Sequence, residues 1–269
     1  MSIVILALVS MGGLSALFAV LLSVAHGRLR VEEDPRVGAV LEALPGINCG
    51  ACGFASCHAL AEAAVKGDVP PNSCVVGGNS VATQVAAVLG IEAEAREPTY
   101  AYVRCGAGAS QRQKKAAYSG IPTCRAANLV MGGETACSYG CLGFGDCADV
   151  CPFGAISMVE GLPVVDLSKC TGCGQCVKVC PRSLIVLCSF SETAYRVKCS
   201  SHDAGRRARQ ICEKSCIACM RCAKSCPYEA CSVEDSLAVI DPLNCQLCGI
   251  CHLVCPTGAI VELQRGPAL

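Results

Sequence analysis

The 269-residue chain has no tryptophan, and aromatic residues make up only 4% of it, so aromatic packing can supply little of a core. Four histidines in all leave no Ser/His/acid constellation to assemble. There is no Walker A run and no flavin-type motif. GAGASQ, Gly106 to Gln111, has two glycines and no third, which supports a dinucleotide loop poorly. A charge excess is missing as well, since Lys+Arg and Asp+Glu are both 22. These absences argue against bond-making chemistry and against a basic nucleic-acid-binding face.

Cysteine is what the chain has in abundance, with 26 residues. Such density belongs either to secreted disulfide scaffolds or to metal-cluster proteins. Disulfide frameworks are usually short, whereas these cysteines fall in tight C-x2-C runs that suit metal. Inorganic clusters would then staple a small core. A cubane on four thiolates carries roughly two negative charges when oxidised, so the loaded protein is expected to be acidic and to bind no nucleic acid.

The stretch from Met1 to His26 has no charged side chain and is long enough to cross a hydrocarbon layer. A signal peptide should open with Lys or Arg, but the first basic residue is Arg28. Residues 1–27 therefore read as a transmembrane anchor. Arg28, Arg30 and Arg36 follow it, which places the body on the cytoplasmic side of the inner (cytoplasmic) membrane, although Glu32, Glu33 and Asp34 blur the charge pattern.

Residues 28–90 carry a first module, GINCGACGFASC followed by a helical stretch and Cys74. Cys49, Cys52, Cys57 and Cys74 supply four sulfurs in a glycine-crowded loop, the pattern of a [4Fe-4S] site more than of structural zinc. His58 reads as a helix residue rather than a ligand.

Two unambiguous runs lie downstream, CTGCGQCVKVCP (Cys170, Cys173, Cys176, Cys180) and CQLCGICHLVCP (Cys245, Cys248, Cys251, Cys255), offset by 75 residues. The same shift carries Cys151 to Cys226, Cys147 to Cys222, Cys141 to Cys216, Cys137 to Cys212 and Cys124 to Cys199. This is a tandem duplication of a two-cluster ferredoxin-like unit, with unit 1 at 124–198, unit 2 at 199–269, and a linker at 91–123. Apolar alternation around Glu160-Gly161, and in the matching stretch of unit 2, predicts a short hairpin in each. The expected fold is α+β and dominated by metal clusters.

In such units the fourth cysteine of each run serves the other cluster. Unit 2 gives Cys216, Cys219, Cys222 with Cys255, and Cys245, Cys248, Cys251 with Cys226. Unit 1 gives Cys170, Cys173, Cys176 with Cys151. Its other site has Cys141, Cys147 and Cys180 but Phe144 where a fourth cysteine should stand, and Cys137 is the expected substitute. That makes five clusters. A sixth is predicted at the junction of the units from Cys105, Cys124, Cys199 and Cys212; a symmetric alternative uses Cys124, Cys137, Cys199 and Cys212 and sends Cys105 to the incomplete site. Cys188 and Cys231 read as core thiols. Lys114, Lys115, Arg206, Arg207 and Arg209 read as solvated faces or as a docking face for an acidic partner.

An apolar N-terminal helix, then CGACGFASC…C, then ferredoxin-like units opening with CSYGCLGFGDC resemble the B subunit of the Rnf complex, in its longer form. The resemblance implies a membrane ferredoxin:NAD+ oxidoreductase that pumps Na+ or H+. In it this component takes electrons from reduced ferredoxin and relays them to flavin-bearing membrane subunits. The competing expectations are a membrane-tethered polyferredoxin serving a hydrogenase or formate dehydrogenase, and a structural zinc protein.

Overall fold

The computed structural model describes residues 2–29, 34–189 and 194–263. Arg30, Glu32 and Glu33, which enter the charge reading at the end of the anchor, lie outside them.

Helix α1 (Ser2–Leu29) contains a 24-residue apolar span, Ile5–Arg28, about 36 Å long at 1.5 Å per residue. Its large side chains face outward, Leu6 at 71% and Met11 at 70% exposure, uncovered among the described residues. One helix is thus apolar and long enough to cross a membrane.

Three helices build the first module: α2 (Pro35–Ala43), α3 (Cys57–Lys66) and α4 (Gly78–Leu89). Asp34 caps α2, with proline at its first turn, and Ser56 caps α3 by accepting from the Ala59 amide at 3.1 Å. Gly67, left-handed at φ 83°, ends α3. Val37, Val40, Leu60, Ala61 and Val85 form the shared core, and Cys52, Cys57 and Cys74 pack against it.

Unit 1 contains β1 (Thr99–Val103), α5 (Cys124–Leu129), α6 (Asp146–Asp149), the hairpin β2 (Ile156–Val159) and β3 (Leu162–Val165), α7 (Gln175–Val179) and β4 (Ile185–Ser189). Unit 2 contains β5 (Tyr195–Val197), α8 (Gly205–Ile211), α9 (Arg221–Lys224), the hairpin β6 (Cys231–Glu234) and β7 (Leu237–Ile240), α10 (Ile250–Leu253) and β8 (Ile260–Glu262). Both hairpins turn through two residues with positive φ, Glu160-Gly161 and Asp235-Ser236, as tight two-residue hairpin turns require.

Each unit also has a second two-stranded antiparallel sheet: β1 pairs with β4, and β5 pairs with β8. The registers correspond, Val103 opposite Ile185 and Val197 opposite Ile260. The segment expected to be a linker therefore supplies a strand to unit 1, and unit 2 gains its matching strand ahead of Cys199. Val103 and Val197 are 94 residues apart, whereas Ile185 and Ile260 are 75 apart, so unit 1 carries 19 extra residues (94 − 75) after its first strand. Cys124 lies in that extra stretch.

Candidate metal-cluster sites

All 26 cysteines are free thiols, and the fold gathers them in groups. Cys49, Cys52, Cys57 and Cys74 line one cavity. Cys151, Cys170, Cys173 and Cys176 line a second. A third is lined by Cys124, Cys141, Cys147 and Cys180, and a fourth, between the units, by Cys105, Cys137, Cys199 and Cys212. In unit 2, Cys222 lies within electrostatic reach of Cys216, Cys219 and Cys255. Cys251 lies within reach of Cys245 and Cys248, and Cys231 bridges Cys251 to Cys226.

Two of these groups differ from the sequence reading. Cys124, not Cys137, lines the cavity with Cys141, Cys147 and Cys180, and Cys137 lines the junction cavity. The cause is local. The Asp146 carboxylate accepts from the amides of Cys124 at 2.8 Å and Arg125 at 3.1 Å, pinning the N-terminus of α5 beside Cys147. Thr123 completes the cap through the Ala126 amide. Phe144 turns away and packs edge-on against Tyr118, ring centroids 5.5 Å apart. The junction set is symmetric in a way that the uniform 75-residue shift hides: Cys105 and Cys199 each follow the first strand of their unit by two residues, in Val-Arg-Cys and Val-Lys-Cys. That short pattern was the available signal. The sequence reading also passed over Asp146 and over two arginines, Arg112 and Arg182, that hold the Cys137–Cys141 turn.

Backbone amides converge on the sulfurs. Ala101, Ala155, Leu184 and Ala238 donate to Cys170, Cys151, Cys180 and Cys216 respectively, each at 3.4 Å. Such donors favour sulfur in its anionic, ligating state. Burial meanwhile pushes the metal-free thiols up, Cys147 to about 12 and Cys141, Cys176 and Cys212 to about 11. Loading metal must therefore displace protons.

Each of the four cavities is walled by four cysteines, the number that one cubane needs. Among the described residues no three Cys, His, Asp or Glu side chains close on a single ion. Thiols spread around a cavity suit a polynuclear cluster, whereas a tetrahedral zinc draws its ligands to one point. The residues present thus fit [4Fe-4S] clusters. His58 faces Glu62 at 3.9 Å on an exposed turn of α3. Cys188 is buried with Tyr100 and Tyr102 in the β1–β4 sheet, and Cys231 is buried in the core of unit 2.

The sites are also contiguous. Cys173 lies within reach of Cys49, and the Gln175 side-chain amide donates to the Cys49 carbonyl. Cys147 lies within reach of Cys176. The Cys141 amide donates to Cys105 Sγ at 3.5 Å, and the Cys216 amide to Cys199 Sγ at 3.4 Å. Cys231 stands between Cys222 and Cys251.

Family models match four parts of the chain: an Fe-S cluster model matches residues 44–76, 4Fe-4S binding domain models match 141–155 and 163–186, and a 4Fe-4S dicluster domain model matches 215–259. Fold and sites together define a 4Fe-4S electron-transfer protein. The chain is 41% identical over 96% of its length to the B subunit of the ion-translocating oxidoreductase complex of Methanosarcina acetivorans, covering 98% of that protein. It is 44% identical over its whole length to the B subunit of the proton-translocating ferredoxin:NAD(+) oxidoreductase complex of Clostridium ljungdahlii, covering 96% of it. Against the Na(+)-translocating counterpart of Acetobacterium woodii it is 41% identical over 93% of its length and 75% of that protein. The chain belongs to the family of B subunits of these ion-translocating oxidoreductase complexes, and its role in such a complex is electron transfer.

Proposed function

We propose that the chain holds six [4Fe-4S] clusters and relays electrons from reduced ferredoxin along them to flavin-bearing membrane subunits, in a complex that reduces NAD+ and pumps Na+ or H+. The observation that supports this best is the row of six thiol groups, in which cysteines of each group lie within electrostatic or hydrogen-bond reach of the next. The ligand sets would be Cys49, Cys52, Cys57, Cys74; then Cys151, Cys170, Cys173, Cys176; then Cys124, Cys141, Cys147, Cys180; then Cys105, Cys137, Cys199, Cys212; then Cys216, Cys219, Cys222, Cys255; and last Cys226, Cys245, Cys248, Cys251. The clusters supply reversible one-electron storage. The chain's own part is to set their spacing, to shield them from water and to donate amide hydrogen bonds to the sulfurs.

The two ends of the row differ. Cys219 and Cys248 are exposed in unit 2, while the module at the other end is tied to α1. Exposed thiols at one end suit a soluble electron donor, and a helix able to span a membrane at the other suits delivery to membrane partners. With α1 inserted and the cluster domains cytoplasmic, electrons would run from unit 2 through the junction and unit 1 to the module.

Iron and acid-labile sulfide analysis with EPR on anaerobically prepared protein tests this reading. About 24 irons per chain are expected; about 20 would remove the junction cluster, and zinc without iron would end the proposal. Co-purification of flavin-bearing subunits and an NADH-oxidising partner separates this role from service to a hydrogenase or formate dehydrogenase.

A further inference from the structure

The turn from Cys137 to Cys141 is shared by two neighbouring sites, because Cys137 lines the junction cavity and Cys141 lines the cavity of unit 1. Two guanidinium groups grip it. Arg182 donates through Nη1 to the Cys137 carbonyl at 2.8 Å and to the Gly140 carbonyl, and through Nη2 to the Gly132 carbonyl at 2.6 Å. Its remaining contacts are the Thr135 hydroxyl at 3.3 Å and the Asn128 amide oxygen at 3.4 Å. Arg112 donates to the Cys141 carbonyl and, at 3.1 Å, to the Gly161 carbonyl.

Every one of these acceptors is neutral. Among the described residues no carboxylate forms an ion pair with either arginine. A partly buried cation without an anion is costly, and Arg182 lies within reach of the sulfurs of Cys137, Cys141 and Cys105, which are anionic once they ligate metal. The junction cavity is further lined by Arg104, Lys198 and Lys214, and the neighbouring cavity of unit 1 by Arg182 together with Asp146, whose carboxylate accepts from the Cys124 and Arg125 amides. Asp203, a carboxylate in reach of Cys137, is itself engaged by Arg207 at 3.6 Å. The cavity of the first module and that of Cys151, Cys170, Cys173 and Cys176 have no charged residue in their described linings. Unit 2 has Thr257 where unit 1 has Arg182, one 75-residue step on.

We propose that Arg182 and Arg112 are positioning and potential-tuning residues. They hold the Cys137–Cys141 turn and fix positive charge between the junction site and its neighbour in unit 1. The reduction potentials of those two sites are thereby raised above those of the first module and of the Cys151, Cys170, Cys173, Cys176 site, whose described linings carry no charge. This rests on the six-cluster reading above. Each hop moves one electron from site to site with no bond made or broken and no proton transferred, and a fixed cation favours whichever state carries the extra electron. The centre of the row then collects electrons whenever delivery at the membrane end is slower than supply.

The test is an EPR-monitored redox titration of the full chain, prepared without oxygen, beside its Arg182→Gln variant. The expected result is unchanged iron, with two titrating components shifted downward by at least tenfold in the redox equilibrium (about 59 mV for one electron) and the rest unmoved. Full iron with every component at its original midpoint overturns the proposal. Should the glutamine variant fail to load iron, Arg182→Lys decides, since it keeps the charge and loses the fork. A loaded lysine variant with unshifted midpoints supports the proposal. A loaded one with lowered midpoints, or one that cannot load, overturns it. Wild-type protein lacking iron would instead overturn the cluster reading on which the inference stands.

Discussion

Unit 1 has Phe144 where unit 2 has Cys219, and the segment upstream of that position is rebuilt to match. In unit 2 the run Cys216, Cys219, Cys222 is complete, and the cysteines before it, Cys199 and Cys212, are free to face the junction. In unit 1 a 19-residue extension, inserted between Cys105 and Cys137 (the positions that match Cys199 and Cys212), brings Cys124 to the cavity of Cys141, Cys147 and Cys180. Asp146 is the residue that makes the substitution hold, and its counterpart in unit 2 is Arg221, which has no carboxylate to offer an amide. On the ligand sets proposed above, a lost ligand is replaced by lengthening the chain and capping a new helix, with the surrounding sheets left unchanged.

The strongest test of that comparison is ligand exchange. Cys124→Ser is expected to remove one cluster, roughly four irons per chain. Adding Phe144→Cys, which gives unit 1 the ligand position of unit 2, should return the iron. Iron analysis of the two variants checks this, and unchanged iron in Cys124→Ser would return Cys137 to the role first expected of it. Cys199→Ser occupies the place that the uniform shift assigns to Cys124, yet it should cost unit 2 nothing: its loss should fall on the junction cluster, leaving the EPR signals of both unit 2 clusters in place.

A smaller effect is expected from Asp146→Ala. Removing the cap costs about 1 kcal/mol of local stability, so iron should leave the unit 1 site faster under a chelator, while the equivalent site of unit 2 keeps its rate. Of similar size and opposite sign is Met220→Gly. Met220 sits at φ 59°, while Gly145, Gly174 and Gly249 hold the corresponding left-handed position ahead of the other three short cluster helices. Relieving that strain should stabilise unit 2 by about 1 kcal/mol, measurable as a shifted thermal transition. The least effect belongs to His58→Ala, on an exposed helix face. It should leave iron content intact and change stability by less than about 0.5 kcal/mol.

Much of the site was legible in the chain before folding. The C-x2-C runs, their trailing prolines and the 75-residue shift identify most of the sulfurs as belonging to clusters, because ligand spacing within a run is local and survives any packing. The hairpin around Glu160-Gly161 was legible for the same reason. What could not be read was the destination of isolated cysteines. Cys105, Cys124 and Cys137 have no partner within their own turn, and where each goes depends on strands more than 80 residues apart pairing in a given register and on one carboxylate across a loop.

The sequence by itself determined the chemistry: soft thiolates at cubane spacing, an apolar helix ahead of them, and a duplicated unit. Only the tertiary structure decided that Cys124 lines the unit 1 cavity and Cys137 the junction cavity, and that the cysteine groups follow one another in a row with arginines near its middle. The reason is physical. A ligand's type and its neighbours in the chain are covalent facts, whereas the meeting of sulfurs from two units depends on sheet register, helix caps and charge placed by residues far away in the sequence.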